Sequence, residues 1–338
     1  MPLPYDSSTT ALFQPERQSA ELPLTPGRPP TELALAAECA RLAYLRAEQT
    51  DGAEKQRLDR ALARLGLGPA TLFAHAETHS QAFGSYRADD GLSFIAVRGT
   101  QPDALQDTLT DTMIQPVPPA GDAPGRVHRG FREAAAGLLD DGRITAWLAG
   151  LPDRPPCRLV VCGHSLGAAV ATLLAAPLAA QRLVTLGSPR LADAAYGQFL
   201  SAQPGLAITR LVDGADLVTM LPPALSQHLP ETVATALQAL QAAMARWPAG
   251  LAGHAPGLVA LLGRLAALPA QALPYRHLGQ RLYIDHHGAL HEQPAAAFVH
   301  HDQLAAISQL PPLGWGRVPT RLLSDHAPIN YLRALWPG

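Results

Sequence analysis

Three cysteines in 338 residues, Cys39, Cys157 and Cys162, are too few for a disulfide framework. Charge is scarce as well. Asp, Glu, Lys and Arg make up 16% of the chain and leave a formal net charge of −2. Such a balance offers no basic surface to nucleic acid or to an anionic membrane. Lysine is nearly absent: Lys55 stands alone, and arginine carries the remaining positive charge. No run of about 18 uninterrupted apolar residues exists, so no transmembrane segment is expected. The nearest, residues 251 to 273, is broken by Pro256, Arg264 and Pro269. Residues 1 to 10 lack a basic start followed by an apolar run. That predicts no Sec-type signal peptide and a cytoplasmic location, with export by a leaderless route as the alternative.

What is present is apolar mass. Hydrophobic residues are 47% of the chain, which excludes a disordered protein and allows a large core, as one domain with insertions or as two small domains. Residues 1 to 30 are proline-rich and aperiodic, and read as an extended strap or loose tail. Thr31 can cap a helix running to about residue 47, with Leu35, Cys39, Leu42 and Leu45 on one face. A second helix is expected over residues 54 to 65. Strand-like runs follow at 71 to 77, 82 to 88 and 92 to 97, then a helix at 131 to 139. Further apolar strands are expected at 159 to 162, 182 to 186 and 208 to 212. Strands alternating with helices predict a mostly parallel central sheet with helices on both faces. In such sheets chemistry collects at the carboxyl ends of the strands.

The strand at 159 to 162 runs into Gly163-His164-Ser165-Leu166-Gly167, and an Ala/Leu-rich helical run follows at once. With 28 glycines in the chain, the five letters alone are a weak warrant; the strand before and the helix after supply the context. A sharp strand-to-helix turn holds the serine hydroxyl away from the backbone. Gly163 and Gly167 suit it because a Cβ at either place would strike the neighbouring strand or helix. The helix starting near Leu166 aims amides and the positive end of its dipole at the serine.

A serine hydroxyl is a weak nucleophile until a base takes its proton and a carboxylate orients that base. After Ser165 the strand-end carboxylates are Asp213 and Asp216. The histidines late in the chain, past residue 280, are His286, His287, His291, His300, His301 and His326. Spacing does not choose among them. The pairs His286-His287 and His300-His301 lack metal-ligand spacing, so no metal and no cofactor is expected. His128 and His164 read as structural.

Several blocks, in order, resemble the class 3 lipases, a family of fungal-type triacylglycerol lipases with bacterial and plant relatives in the α/β-hydrolase superfamily. Phe94-Ile95-Ala96-Val97-Arg98-Gly99-Thr100 is similar to the family's oxyanion strand and turn. Asp107 to Asp111, then Val127-His128-Arg129-Gly130-Phe131, then the Ser165 turn, match further blocks. Gly187-Ser188-Pro189-Arg190 resembles its Gly-x-Pro-Arg turn. Asp216 with Leu221-Pro222-Pro223, and Ser324-Asp325-His326 with Tyr331, resemble the segments bearing its acid and its histidine. The chain departs from the pattern at Thr108 and Thr219. It also departs at the Pro-rich residues 113 to 125, where the family carries a helical lid.

The resemblance implies an α/β-hydrolase fold over residues 31 to 338, and Ser165 as nucleophile, His326 as base and Asp216 as acid. It implies an oxyanion hole from Thr100, by amide and hydroxyl, and Leu166, by amide. The implied activity is hydrolysis of lipid acyl esters through an acyl-enzyme, with triacylglycerol as substrate. A phospholipase A1 or a short-chain, feruloyl or polyester esterase would use the same residues, and a non-catalytic binding module is the remote alternative. The implied partners are a lipid or ester substrate and a lipid interface touched transiently. Residues 228 to 274, rich in Ala and Leu and nearly uncharged, read as an inserted apolar helical hairpin. It either packs on the core, or covers the site, or forms a surface that settles on lipid.

Overall fold

The computed structural model describes residues 3–49, 52–99, 115–152, 156–220, 274–308 and 321–336. The expected hairpin at 228 to 274 lies outside the described residues save Pro274, as do Thr100, Asp107 to Asp111 and Leu221 to Pro223.

In chain order the elements are α1 (Thr9–Phe13), α2 (Glu32–Leu42), α3 (Ala53–Arg64), β1 (Thr71–His75), β2 (Ser80–Arg87), β3 (Leu92–Val97), β4 (Pro116–Val117) and β5 (Val127–His128). Then come α4 (Arg129–Asp140), α5 (Arg143–Ala149), β6 (Arg158–His164), α6 (Leu166–Ala175), β7 (Arg182–Leu186), α7 (Ala194–Ser201) and β8 (Ala207–Asp213). β9 (Gln280–Ile284), β10 (Leu290–Glu292), α8 (Ala296–Ser308), α9 (Arg321–Ser324) and α10 (Pro328–Leu332) complete the described chain.

The main sheet has the order β1-β2-β3-β6-β7-β8-β9-β10. Its centre, β3-β6-β7-β8-β9, is parallel, and the antiparallel pairs lie at the two edges. The central strands are apolar throughout because both sheet faces are covered. Every residue of β3 is buried, and every residue of β6 except Arg158. α2 and α10 pack on the β6–β8 region, while α4 and α6 pack together against β1, β2, β3, β6 and β7. Each of these central strands ends at one edge, so the turns after β6, β7 and β8 meet there.

α2 differs from its expected form in two ways. It ends at Leu42 instead of near 47, and the chain then turns so that Tyr44 is buried. It is also buried on all sides. Glu38 and Arg41 lie inside with exposures of 1% and 3%, and their charges meet at 2.6 Å. The first 30 residues are what cover them. Arg41 also donates to the carbonyls of Ser19 and Ala20. That proline-rich start is more than an extended strap. Ser8 caps α1 by accepting from the Ala11 amide, and Ala11, Leu12 and Phe13 enter the core. Tyr5 and Asp6 bond to Asp325 and Asn330, so the beginning of the chain lies against the segment that carries His326.

Candidate active site

Ser165 occupies the bend between β6 and α6 with φ 60° and ψ −131°, a backbone conformation that non-glycine residues rarely adopt. Its flanking glycines make the bend possible. A Cβ on Gly163 would lie 2.6 Å from the Gly167 carbonyl carbon, and one on Gly167 would lie 2.5 Å from the Val97 carbonyl oxygen. Leu166 is the first residue of α6, and amides in the first turn of a helix have no partner within it. Its N–H therefore stands available beside the serine hydroxyl. Thr100, the other expected oxyanion residue, lies outside the described residues.

Three distant segments meet at this bend. His326 Nε2 lies 2.8 Å from Ser165 Oγ, and His326 Nδ1 lies 2.8 Å from Asp216 Oδ2. A carboxylate only accepts, so Nδ1–H is the donor to Asp216. That leaves Nε2 with a lone pair facing the serine hydroxyl. Asp216 is fully buried. It accepts from the Val218 amide at 2.9 Å and from the Tyr331 hydroxyl at 2.5 Å, so each of its oxygens has a donor in addition to, or instead of, the ring. Gly187, in the turn after β7 with φ +59°, leaves room for the pair. A Cβ there would sit 2.8 Å from Asp216 Oδ2 and 3.0 Å from His326 Nδ1.

A second histidine lies behind the first. His164 is buried, and its Nε2 lies 2.8 Å from the main-chain oxygen of His326. A carbonyl cannot donate, so Nε2 carries the proton and Nδ1 accepts from the Tyr44 hydroxyl at 2.8 Å. Burial first, and then the nearby His326 ring, hold the His164 imidazole well below the usual histidine range, so it stays neutral.

The other candidates go elsewhere. Asp213 accepts from Arg333 at 2.7 Å. Asp325 accepts from the Ala215 amide and the Tyr5 hydroxyl at 2.8 and 2.7 Å, not from the ring beside it in sequence. His286 bonds to Asp302, and His291 to Asp285 at 2.8 Å, out on the β9–β10 side of the sheet. Among the described residues no group of three or more His, Cys, Asp and Glu is arranged to hold a metal ion, and no helix is long and apolar enough to cross a membrane. Sequence reasoning placed Tyr331 only as part of a block. Its contact with Asp216, and the link from Tyr44 through His164 to His326, carry no spacing signal because their members come from separate elements.

Residues 94–226 match the family model described as Lipase (class 3). Over 142 residues the chain is 30% identical to a lipase of Rhizomucor miehei, covering 39% of this chain and 38% of that protein. Over 175 residues it is 26% identical to the secreted mono- and diacylglycerol lipase MDL2 of Malassezia globosa, covering 47% and 57%. The chain thus spans about two-fifths to just over half the length of these relatives. Among solved structures, the Rhizomucor miehei lipase propeptide complex aligns over 96% of this chain and 88% of its own, with TM-score 0.53 and 19% identity. That likeness is one of fold. The expected cytoplasmic location is corrected by these matches. MDL2 is named a secreted enzyme, as are other matched relatives from Malassezia globosa and Fusarium solani. The expectation rested on the composition of residues 1 to 10 alone.

Proposed function

We propose that this chain is a class 3 lipase, the family whose model matches residues 94–226, and that it acts as an extracellular serine hydrolase of lipid acyl esters, with triacylglycerol as substrate. The observation that carries the proposal is the continuous hydrogen-bonded line from Ser165 Oγ through both nitrogens of His326 to the buried Asp216.

In the proposed reaction His326 Nε2 takes the Ser165 proton as the oxygen attacks an ester carbonyl. Negative charge builds on the carbonyl oxygen, where the Leu166 amide and Thr100 receive it. Losing one such donor typically costs about 100- to 1,000-fold in rate. Asp216 holds Nδ1–H, fixes the tautomer and stabilises the imidazolium. The ring then gives its proton to the departing alcohol. A water activated by the same Nε2 attacks the acyl-serine, and the fatty acid leaves. Buried His164 and Tyr331 keep ring and carboxylate in place.

The extracellular location is supported by the names of the secreted relatives. The substrate is tested by following fatty-acid release from emulsified trioleoylglycerol, dioleoylglycerol and phosphatidylcholine. Release from the glycerides at least about tenfold faster than from phosphatidylcholine, a difference of 1.4 kcal/mol in barrier, supports the reading. The reverse ratio would replace it with a phospholipase A1.

A further inference from the structure

The turn Leu217–Met220, directly after Asp216, is fastened by two nitrogen donors. Arg190 donates to the Met220 carbonyl, and His277 Nε2 donates to the Thr219 carbonyl at 2.7 Å. Beside them, Arg210 of β8 and Arg281 of β9 stand directly opposite each other in the parallel register. Residues so paired present their side chains on one face of a sheet, and like charges in that arrangement repel. Arg210 is 9% exposed, and its buried Nε has no hydrogen-bond partner. His277 Nδ1 is also buried without one. Among the described residues no ion pair joins a carboxylate to Arg210.

A buried cation facing other cations is costly unless an anion compensates it. The strain shows in the acid–base behaviour of the groups. Burial, then the charges of Arg281 and Arg190, push Arg210 down to about 10. Burial takes Arg190 to about 10 as well. His277 is held well below its usual range by burial and then by Arg210 and Arg190. Arg190, His277 and Arg281 are half-buried, and Arg210 is buried.

We propose that Arg210, Arg281, Arg190 and His277 form a binding site for a phosphoryl group. Guanidinium forks match the oxygens of phosphate two at a time, and several cations side by side favour a tetrahedral oxyanion over a single carboxylate; Arg281 keeps one nitrogen on the Pro294 carbonyl at 2.6 Å and Arg190 one on the Met220 carbonyl. The phosphoryl group comes either from a lipid head group or from free phosphate. Because the cluster grips the turn that carries Asp216, an anion seated there also ties that turn to β8 and β9. The site does not depend on the hydrolase reading, since binding is measurable without turnover.

The test uses the full chain and inorganic phosphate as the probe, with chloride at equal ionic strength as reference. Phosphate at ten times its Kd raises the Tm by about 2 °C, and calorimetry shows saturable binding. Arg210→Met weakens that binding at least about tenfold. Arg281→Glu places a carboxylate opposite Arg210. It raises the Tm in chloride and abolishes the phosphate response, which keeps the test open if Arg210→Met does not fold. Equal Tm values in phosphate and chloride for the unaltered protein would overturn the site, because a carboxylate of this chain would then be the partner. So would an unchanged phosphate response in Arg210→Met. The source is read from turnover. If it is lipid, hydrolysis of phosphatidylglycerol vesicles relative to dissolved p-nitrophenyl butyrate falls about tenfold in Arg210→Met. If it is free phosphate, that ratio is unchanged and the response is confined to stability.

Discussion

His164 Nε2–H reaches the main-chain carbonyl of His326 across 2.8 Å, tying the residue before Ser165 to the residue whose ring faces Ser165. His164→Ala would leave that carbonyl and the Tyr44 hydroxyl buried and unpaired. A loss of about 2–3 kcal/mol in unfolding free energy is expected. The freed His326 backbone should lower kcat about tenfold with little change in KM. Urea titration and steady-state kinetics on a dissolved ester check both. Full activity in His164→Ala would mean that the link does not position the ring.

Tyr331 and the His326 ring share Asp216 Oδ2. Tyr331→Phe removes one donor while the Val218 amide and the ring still hold the carboxylate. We expect a loss of about 1 kcal/mol in stability and a fall in kcat within about tenfold, near the 1.4 kcal/mol that tenfold represents. A drop as large as that of Asp216→Ala would give Tyr331 a larger part than orienting the acid.

Gly187→Ala adds one methyl group where the backbone has φ +59° and where Asp216 and His326 are within 3.0 Å. Both the strain and the clash fall on the same hydrogen bond. Activity should fall by at least about 100-fold, in line with the price of a 1 Å displacement near a reacting group. The same substitution at Gly205, which has open space around it at φ +73°, should cost only backbone strain of about 1 kcal/mol and leave kcat unchanged.

Much of this arrangement is legible in the sequence, for physical reasons. The central strands show as apolar runs because both sheet faces are covered, and the Ser165 turn shows because two glycines are needed within 3 Å of other backbone. Other parts are silent. Asp213 ends β8 and Asp216 follows it in the next turn, and only three-dimensional packing sends one to Arg333 and the other to His326. β9 begins Gln280-Arg281 and has no uniform apolar pattern, so the sheet's extension past β8 is hidden. The proline-rich start gives no sign of α1 or of its docking, since its burial comes from contact with the far end of the chain.

Asp325 is buried, and its carboxyl is pushed up from 3.8 to about 6, chiefly by burial. The folded protein therefore keeps a proton that the unfolded chain releases near pH 4. The contribution of this group to stability is full below about pH 4 and is lost as pH rises through about 6. Asp325→Asn, which mimics the protonated form, should match the unaltered protein in urea titrations at pH 4 and exceed its stability at pH 7. Equal stabilities at both values would show that the carboxyl does not hold its proton in this window.

The central claim is that Ser165 is a nucleophile activated by His326. The most direct measurement is labelling of the full chain by a fluorescent alkyl phosphonate, followed by mass analysis of the modified peptide. One label per chain on Ser165 is predicted, with none in Ser165→Ala and labelling slowed about 1,000-fold or more in His326→Ala, the scale seen when a member of such a triad is removed. A label elsewhere, or equal labelling in Ser165→Ala, would contradict the account.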